Sequence, residues 1–144
     1  MKKTLALLCA SLGLLALLAG CGTNTKVRGL SIELVKLEQA ADGTFTATLR
    51  YTNPNVVAYN VASSTHKLSL NGKSVGTIVA DDAVGIPQQF TLTHTGRLKL
   101  ANGTSLPSGP ASYQMSSALT LRLYGDAMDR ATFTSAGTTE IVTR

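Results

Sequence analysis

The sequence predicts an all-β fold: a single antiparallel β-sandwich of about seven strands. Apolar and polar residues alternate at period two through most of the chain beyond residue 28. Hairpin-type pairs, Asp42-Gly43 and Asn71-Gly72, fall between the alternating runs. Outside Leu98 to Pro107, no stretch of that region keeps a helical period over two turns.

The first residues carry an address rather than a strand. Lys2 and Lys3 make a short positive segment, Leu5 to Ala19 is apolar except for Ser11, and Leu18-Ala19-Gly20-Cys21 follows. A positive start, an apolar run of about 7–15 residues and small residues at the cut describe a secretory signal peptide. A membrane-spanning helix takes about 20 apolar residues, so this run is short for a permanent anchor. Leu-Ala-Gly-Cys resembles the lipobox of bacterial lipoproteins. The resemblance implies that residues 1–20 are removed and that the Cys21 thiol takes a diacylglycerol, making membrane lipid a partner. One acyl chain anchors marginally and two or more anchor stably, at about 0.8 kcal/mol per buried methylene. Gly22, where Asp favours inner-membrane retention, implies the outer membrane, facing the periplasm, in a cell that has one. The competing reading is a plain signal peptide or uncleaved anchor that happens to hold a cysteine.

Residues 21–144 are 124 residues, one domain's length. Without Lys2 and Lys3, eleven of the thirteen basic residues remain against eight acidic ones, a net of +3. The basic residues are scattered, which argues against a nucleic-acid partner. Cys9 leaves with the signal and Cys21 carries lipid, so the folded part has no thiol for a disulfide, a metal or nucleophilic catalysis. Gly22 to Arg28 reads as a polar tether with an r.m.s. reach of about 15 Å, which holds the domain of residues 29–144 near the lipid. Lys26 and Arg28 either meet anionic headgroups, at about 1 kcal/mol each at most, or are merely solvated.

The strands follow in order. Leu30, Ile32 and Leu34 alternate with Ser31 and Glu33. After Asp42-Gly43, Phe45, Ala47, Leu49 and Tyr51 alternate with Thr44, Thr46, Thr48, Arg50 and Thr52, where the β-branch of Thr fits a pleated outer face. His66, Leu68 and Leu70 lead into Asn71-Gly72, a pair that tolerates positive φ at both positions, and Lys73 to Val79 returns. Phe90, Leu92 and His94 share one parity; Leu119, Leu121 and Leu123 share another. Phe133 and Ile141 mark two last short strands split by Gly137. Leu98 to Pro107 reads as a strand end, a loop or a short helix.

Asn53-Pro54-Asn55 ends the cleanest of these strands. Pro54 cannot donate to a ladder and holds Asn53 extended, while the Asn side chains can bond nearby backbone instead. The series Leu49-Arg50-Tyr51-Thr52-Asn53-Pro54-Asn55, then Leu68-Ser69-Leu70-Asn71-Gly72, with Ile86-Pro87 and Phe133 to Gly137 behind it, resembles the water-stress and hypersensitive-response (WHy) domain of type-2 late embryogenesis abundant (LEA) proteins. The resemblance covers about Leu30 to Ile141 and is loose from Leu98 to Gly125. His66 stands where that family often has an aromatic residue, and Asn102 to Pro110 is richer in Gly, Ser and Pro. It implies a sandwich of immunoglobulin or fibronectin type III shape and a protective role in desiccation or envelope stress, without a known reaction.

Candidate chemistry is sparse. The sequence has no Gly-x-Ser-x-Gly elbow and no Gly-rich phosphate loop. His66 and His94 are the only histidines and lie on apolar parity, so both read as hydrogen-bonded core or rim residues; as metal ligands they would need partners, for which Asp81-Asp82 is the obvious pair. Asp81-Asp82 reads as a turn short of calcium ligands, and Asp126 and Asp129 as turn acids rather than a glycosidase pair. The Asn102-Gly103-Thr104 sequon carries no weight in a bacterial lipoprotein. The expectation is a non-enzymatic chain with no cofactor, metal or small-molecule substrate. Asn53, Pro54, Asn55, Asn71 and Gly72 serve structure. The alternative to protection is a partner-binding module of an envelope assembly, whose exposed sheet edge would accept a partner's strand.

Overall fold

A computed structural model describes residues 29–122 and 127–143. The chain is all-β. Its strands are β1 (Ser31–Gln39), β2 (Phe45–Asn53), β3 (Tyr59–Leu70), β4 (Lys73–Ala80), β5 (Val84–Ile86), β6 (Phe90–Leu100), β7 (Gly109–Arg122) and β8 (Met128–Val142).

The expected sandwich gives way to a closed barrel. Hydrogen bonding runs β4-β6-β2-β1-β8-β7-β3, and the β3–β4 hairpin joins the two ends into a ring of seven strands. A sandwich of immunoglobulin or fibronectin type III shape keeps two sheets with free edges; here the ladder returns to its start. β5 takes over from β4 along β3, pairing Tyr59–Val61 where β4 pairs Ser64–Leu70.

Period-two alternation sets the faces, and bulges reset it. The inward series of Leu30, just before β1, and Ile32 and Leu34 within it changes parity to Leu37, and the register with β2 shifts between Leu34 and Lys36. In β3 the shift between Val61 and Ser63 turns Val61, then Ser64, His66, Leu68 and Leu70 inward. One extra residue at each point bends the strand and tightens the twist that a small barrel needs. The fully buried Ile32, Leu37, Leu49, Tyr51, Ile78 and Ile86 lie in one continuous core.

The turns obey local chemistry. Asn71 and Gly72 take φ of 49° and 78°, the two positive values of a type I′ hairpin. Asn71 Oδ1 also accepts from the Ser112 N–H at 3.1 Å, tying the hairpin to β7. At Ala40–Thr44, Asp42 Oδ1 accepts from the Thr44 N–H at 3.0 Å and the Thr44 hydroxyl at 2.7 Å. Those two bonds hold the Asp42 carboxyl below its usual pKa.

One further reading changes, and two are made definite. Phe133 and Ile141 belong to one strand, β8, which runs through Gly137. Residues 98–100 end β6, residues 101–108 form a loop, and Pro110 lies inside β7. Phe90 shares the inward parity of Leu92 and His94 but stands at the rim, exposed.

Two seams close the ring. β1 and β8 pair in parallel through only Lys36–Glu38 and Glu140–Val142. Just before the β1 bulge, the buried Leu34 N–H donates to the Tyr113 hydroxyl at 3.2 Å. Tyr113 reaches it across its register partner Gly137, where a Cβ would stand 3.1 Å from the ring. At the other seam β4 and β6 share four register pairs, Gly76–Val79 with Leu100–Arg97. A Cβ on Gly76 would drive into the Lys99 carbonyl oxygen, and one on Gly96 would lie 2.7 Å from Ile78 Cγ2. Gly76→Ala is therefore expected to part this seam, costing about 2–3 kcal/mol as overpacking does. Urea unfolding reads the loss, and native-state amide exchange of Lys99 and Ala101, whose N–H groups face β4, should accelerate more than that of β7.

Candidate functional site

Two polar constellations stand out: the end of β2, and a group inside the barrel.

At the end of β2, Asn53 is fully buried. Its amide nitrogen donates to the carbonyls of Val57 at 2.8 Å, Pro87 at 2.9 Å and, at the limit, Ile86 at 3.5 Å. Its side-chain oxygen accepts from the Asn55 N–H at 3.0 Å. The ladder bond lost at Pro54 is thus replaced by a side chain that ties three segments: the end of β2, the Val56-Val57 turn and the link from β5 to β6. Gln89, at φ 51°, donates its N–H to the Asn55 carbonyl at 2.9 Å and fastens the same link again. A Cβ on Gly29 would stand 3.2 Å from Pro54 Cγ, so the chain enters the fold against this turn.

Inside the barrel, His66 is fully buried. Its Nδ1 lies 2.7 Å from Ser117 Oγ and its Nε2 2.9 Å from Ser64 Oγ. The Tyr51 hydroxyl lies 3.1 Å from Ser64 Oγ and 3.4 Å from His66 Nε2. The Tyr51 ring meets His66 and His94 edge-on, with centroids 6.5 and 6.3 Å away. His94 Nε2 is buried without a hydrogen-bond partner. A Ser–His contact of this length is what nucleophile activation requires. Here both serines are almost fully buried, so a substrate would meet them only if the barrel opened. The group satisfies polar atoms in a core, where leaving them unpaired is costly. Burial, reinforced by the nearby His94, pushes the His66 pKa down to about 4. Burial also raises the pKa of Tyr51, which stays neutral.

The other residues singled out by sequence do not join these groups. Asp81 and Asp82 line an open cleft of about 390 Å³ between β4 and β6, with Arg97 and Lys99 on its other wall. Asp129 accepts from the Arg130 N–H at 2.7 Å. Among the described residues, no group of three or more His, Cys, Asp or Glu side chains is placed to hold a metal. Residues 1–28, including Cys21, Lys26 and Arg28, and Asp126 lie outside the described residues. Ser64, Ser117, the Tyr51 hydroxyl and Tyr113 were not anticipated. Ser64 shares inward parity with His66 and was readable; Ser117 faces His66 only through the β3–β7 register.

No family model matches the chain, and no curated protein matches it. Among solved structures it is similar to that of AT1g01470 from Arabidopsis thaliana, at 13% identity and TM-score 0.48, covering 79% of this chain and 80% of that one. A protein from Archaeoglobus fulgidus is similar at 17% identity and TM-score 0.44, covering 76% and 94%. A third is described as "a putative late embryogenesis abundant (LEA) protein At2g46140.1", at 12% identity and TM-score 0.40, covering 95% and 86%. At these scores the likenesses carry no argument about what this chain does.

Two outcomes follow. Asn53→Ala strips partners from buried carbonyls and from the Asn55 N–H, and is expected to cost about 2–4 kcal/mol, read by the urea midpoint. For His66 the folded pKa lies below the ordinary value of 6.5, so the unfolded chain binds more protons between the two. The stability it contributes is present above pH 6.5 and is lost as pH falls toward 4, by up to about 3 kcal/mol. His66→Gln should flatten the dependence of unfolding free energy on pH across that window.

Proposed function

We propose that this chain is a lipid-anchored, non-enzymatic envelope protein of the type-2 LEA kind, protecting the envelope during desiccation or related stress. The observation that carries the reading is the ordered series from Leu49 through Asn53-Pro54-Asn55 to Leu68-Ser69-Leu70-Asn71-Gly72, which resembles the WHy domain, set behind a lipobox at Cys21. In that reading Cys21 fixes the place and the domain supplies the protection. The outer membrane, facing the periplasm, is the proposed location in a cell with two membranes.

The arrangement of polar groups supports a non-enzymatic role. The Ser–His contacts are sealed in the core, and the Asn53 hydrogen bonds are spent on the fold's own backbone. The buried His66 imidazole is satisfied by protein hydroxyls rather than by solvent, which suits a protein that must hold its shape as water is withdrawn.

A strain lacking the protein, dried and rewetted beside its parent, is expected to survive less well and to leak more periplasmic content. Equal survival and leakage would remove the protective role. In the complemented strain, Cys21→Ala should release the protein from membranes or leave its signal uncut; a variant that fractionates and migrates like the parent would remove the anchor.

A further inference from the structure

The large apolar side chains that stand exposed among the described residues are Val56, Val57, Phe90 and Met128. All four lie at one pole of the barrel. Val56 and Val57, 73% and 58% exposed, form the turn after Asn53-Pro54-Asn55. Phe90 is the register partner of Asn53, at the start of β6. Met128 opens β8 opposite Arg122, and β8 starts at the pole where β1 starts because the two run parallel. The chain enters the fold at the same pole, where Gly29 lies against Pro54 and Asn55. The opposite pole carries Asp42-Gly43, Asn71-Gly72 and Asn102 to Ser108, with no large exposed apolar side chain among the described residues.

We propose that this pole is a lipid-docking face: Val56, Val57 and Phe90, with Met128 at the rim, dip into the interfacial layer of the membrane in which Cys21 is anchored. The proposal rests on the reading of Cys21 as lipidated. The occupant follows from where the preceding chain ends. Between Cys21 and Gly29 the backbone spans less than about 30 Å even when extended, and a flexible chain of that length averages about 15 Å. The tether therefore presents this pole to the bilayer at high effective concentration, whereas a soluble partner meets it only at its own. The face is also rigid in advance. Asn53 holds the Val57 carbonyl and the Gln89 N–H holds Asn55, so docking orders little new backbone. Exposed Arg122, opposite Met128, adds a cation of the sort that headgroup phosphates pair with.

The test uses the mature lipidated protein with Val57→Cys, Phe90→Cys or Ser105→Cys, the last at the opposite pole. Acylation occupies the Cys21 thiol, so an NBD label goes to the introduced cysteine alone. In phosphatidylcholine vesicles, labels at 57 and 90 are expected to shift to the blue and lose emission to a nitroxide carried on the lipid chains near the headgroups; the label at 105 should do neither. Labels at 57 and 90 that stay as wet and as unquenched as that at 105 overturn the proposal. Labels that become dry but escape the lipid nitroxide mark a protein partner or a second copy and overturn it too. The mass of the mature amino terminus reads Cys21 acylation separately. If acyl groups are absent, a Cys21→Ser mature chain held on the same vesicles by an amino-terminal hexahistidine tag and nickel-chelating lipid gives the same reading. Quenching there upholds the pole while the anchor falls, and its absence overturns both.

Discussion

An odd ring of strands cannot alternate direction all the way round. Seven strands close this barrel, so at least one neighbouring pair must run parallel, and β1 with β8 is that pair. Antiparallel pairs follow from hairpins and long complementary runs; the parallel pair joins the first strand to the last and spans three register pairs. The rest of the architecture accommodates this short join. A bulge in β1 shifts its parity next to the join, and the Leu34 N–H is met by the Tyr113 hydroxyl. Gly137 leaves the room that lets Tyr113 pass. A buried amide would otherwise be left without a partner, at about 1–3 kcal/mol.

The second seam solves the same problem by a different means. β4 and β6 approach so closely at Gly76 and Gly96 that neither position accommodates a Cβ without displacement of its neighbours. One closure thus uses an aromatic hydroxyl as a bridge and the other uses missing side chains. Between the seams, long pairings such as β7 with β8, fourteen register pairs from Gly109 to Arg122, carry the ladder. β5 covers the stretch of β3 that β4 does not reach, and the Asn53 side chain fastens the link behind β5 to the end of β2.

The local part of this structure was legible in the sequence. Phe45, Ala47, Leu49 and Tyr51 alternate without a break and lie inward as their period demands, and Asn71-Gly72 turns as that pair turns. The β8 alternation is faint because its inward positions include Ser135, Gly137 and Thr139, which read as a turn rather than a strand. The inward series Ala111, Tyr113, Met115 is present in the sequence, but Pro110 and Ser117 break its apolar character. Barrel versus sandwich was not legible, since it turns on two short joins whose partners are far apart in the chain. The same holds for the interior polar group: the parity of His66 shows that it faces inward, while its contact with Ser117 exists only through the register of β3 and β7. The need for Asn side chains at Asn53-Pro54-Asn55 followed from proline chemistry, but the reach of Asn53 to Pro87 did not.

The parallel pair also orders the molecule from end to end. Because β1 and β8 start together, the start of β8 joins the incoming chain, the Asn53 clip and the start of β6, which the antiparallel pairings set at one pole. Polar turns and the loop of residues 101–108 gather at the other. Fully antiparallel closure with an even number of strands would place the starts of its first and last strands at opposite ends. The odd count therefore does more than close the sheet: it brings Met128 to the face where antiparallel pairing already sets the amino-terminal entry, Val56, Val57 and Phe90. A fold that had only to bury its core would gain nothing by leaving two valines on a clipped turn and a phenylalanine at the start of β6 in water, since each exposed side chain forgoes about 1.5–3 kcal/mol of burial. Their place at the pole where Gly29 enters the fold, and the absence of their like among the described residues at the other pole, is the physical reason to look for function at that surface rather than in the sealed interior.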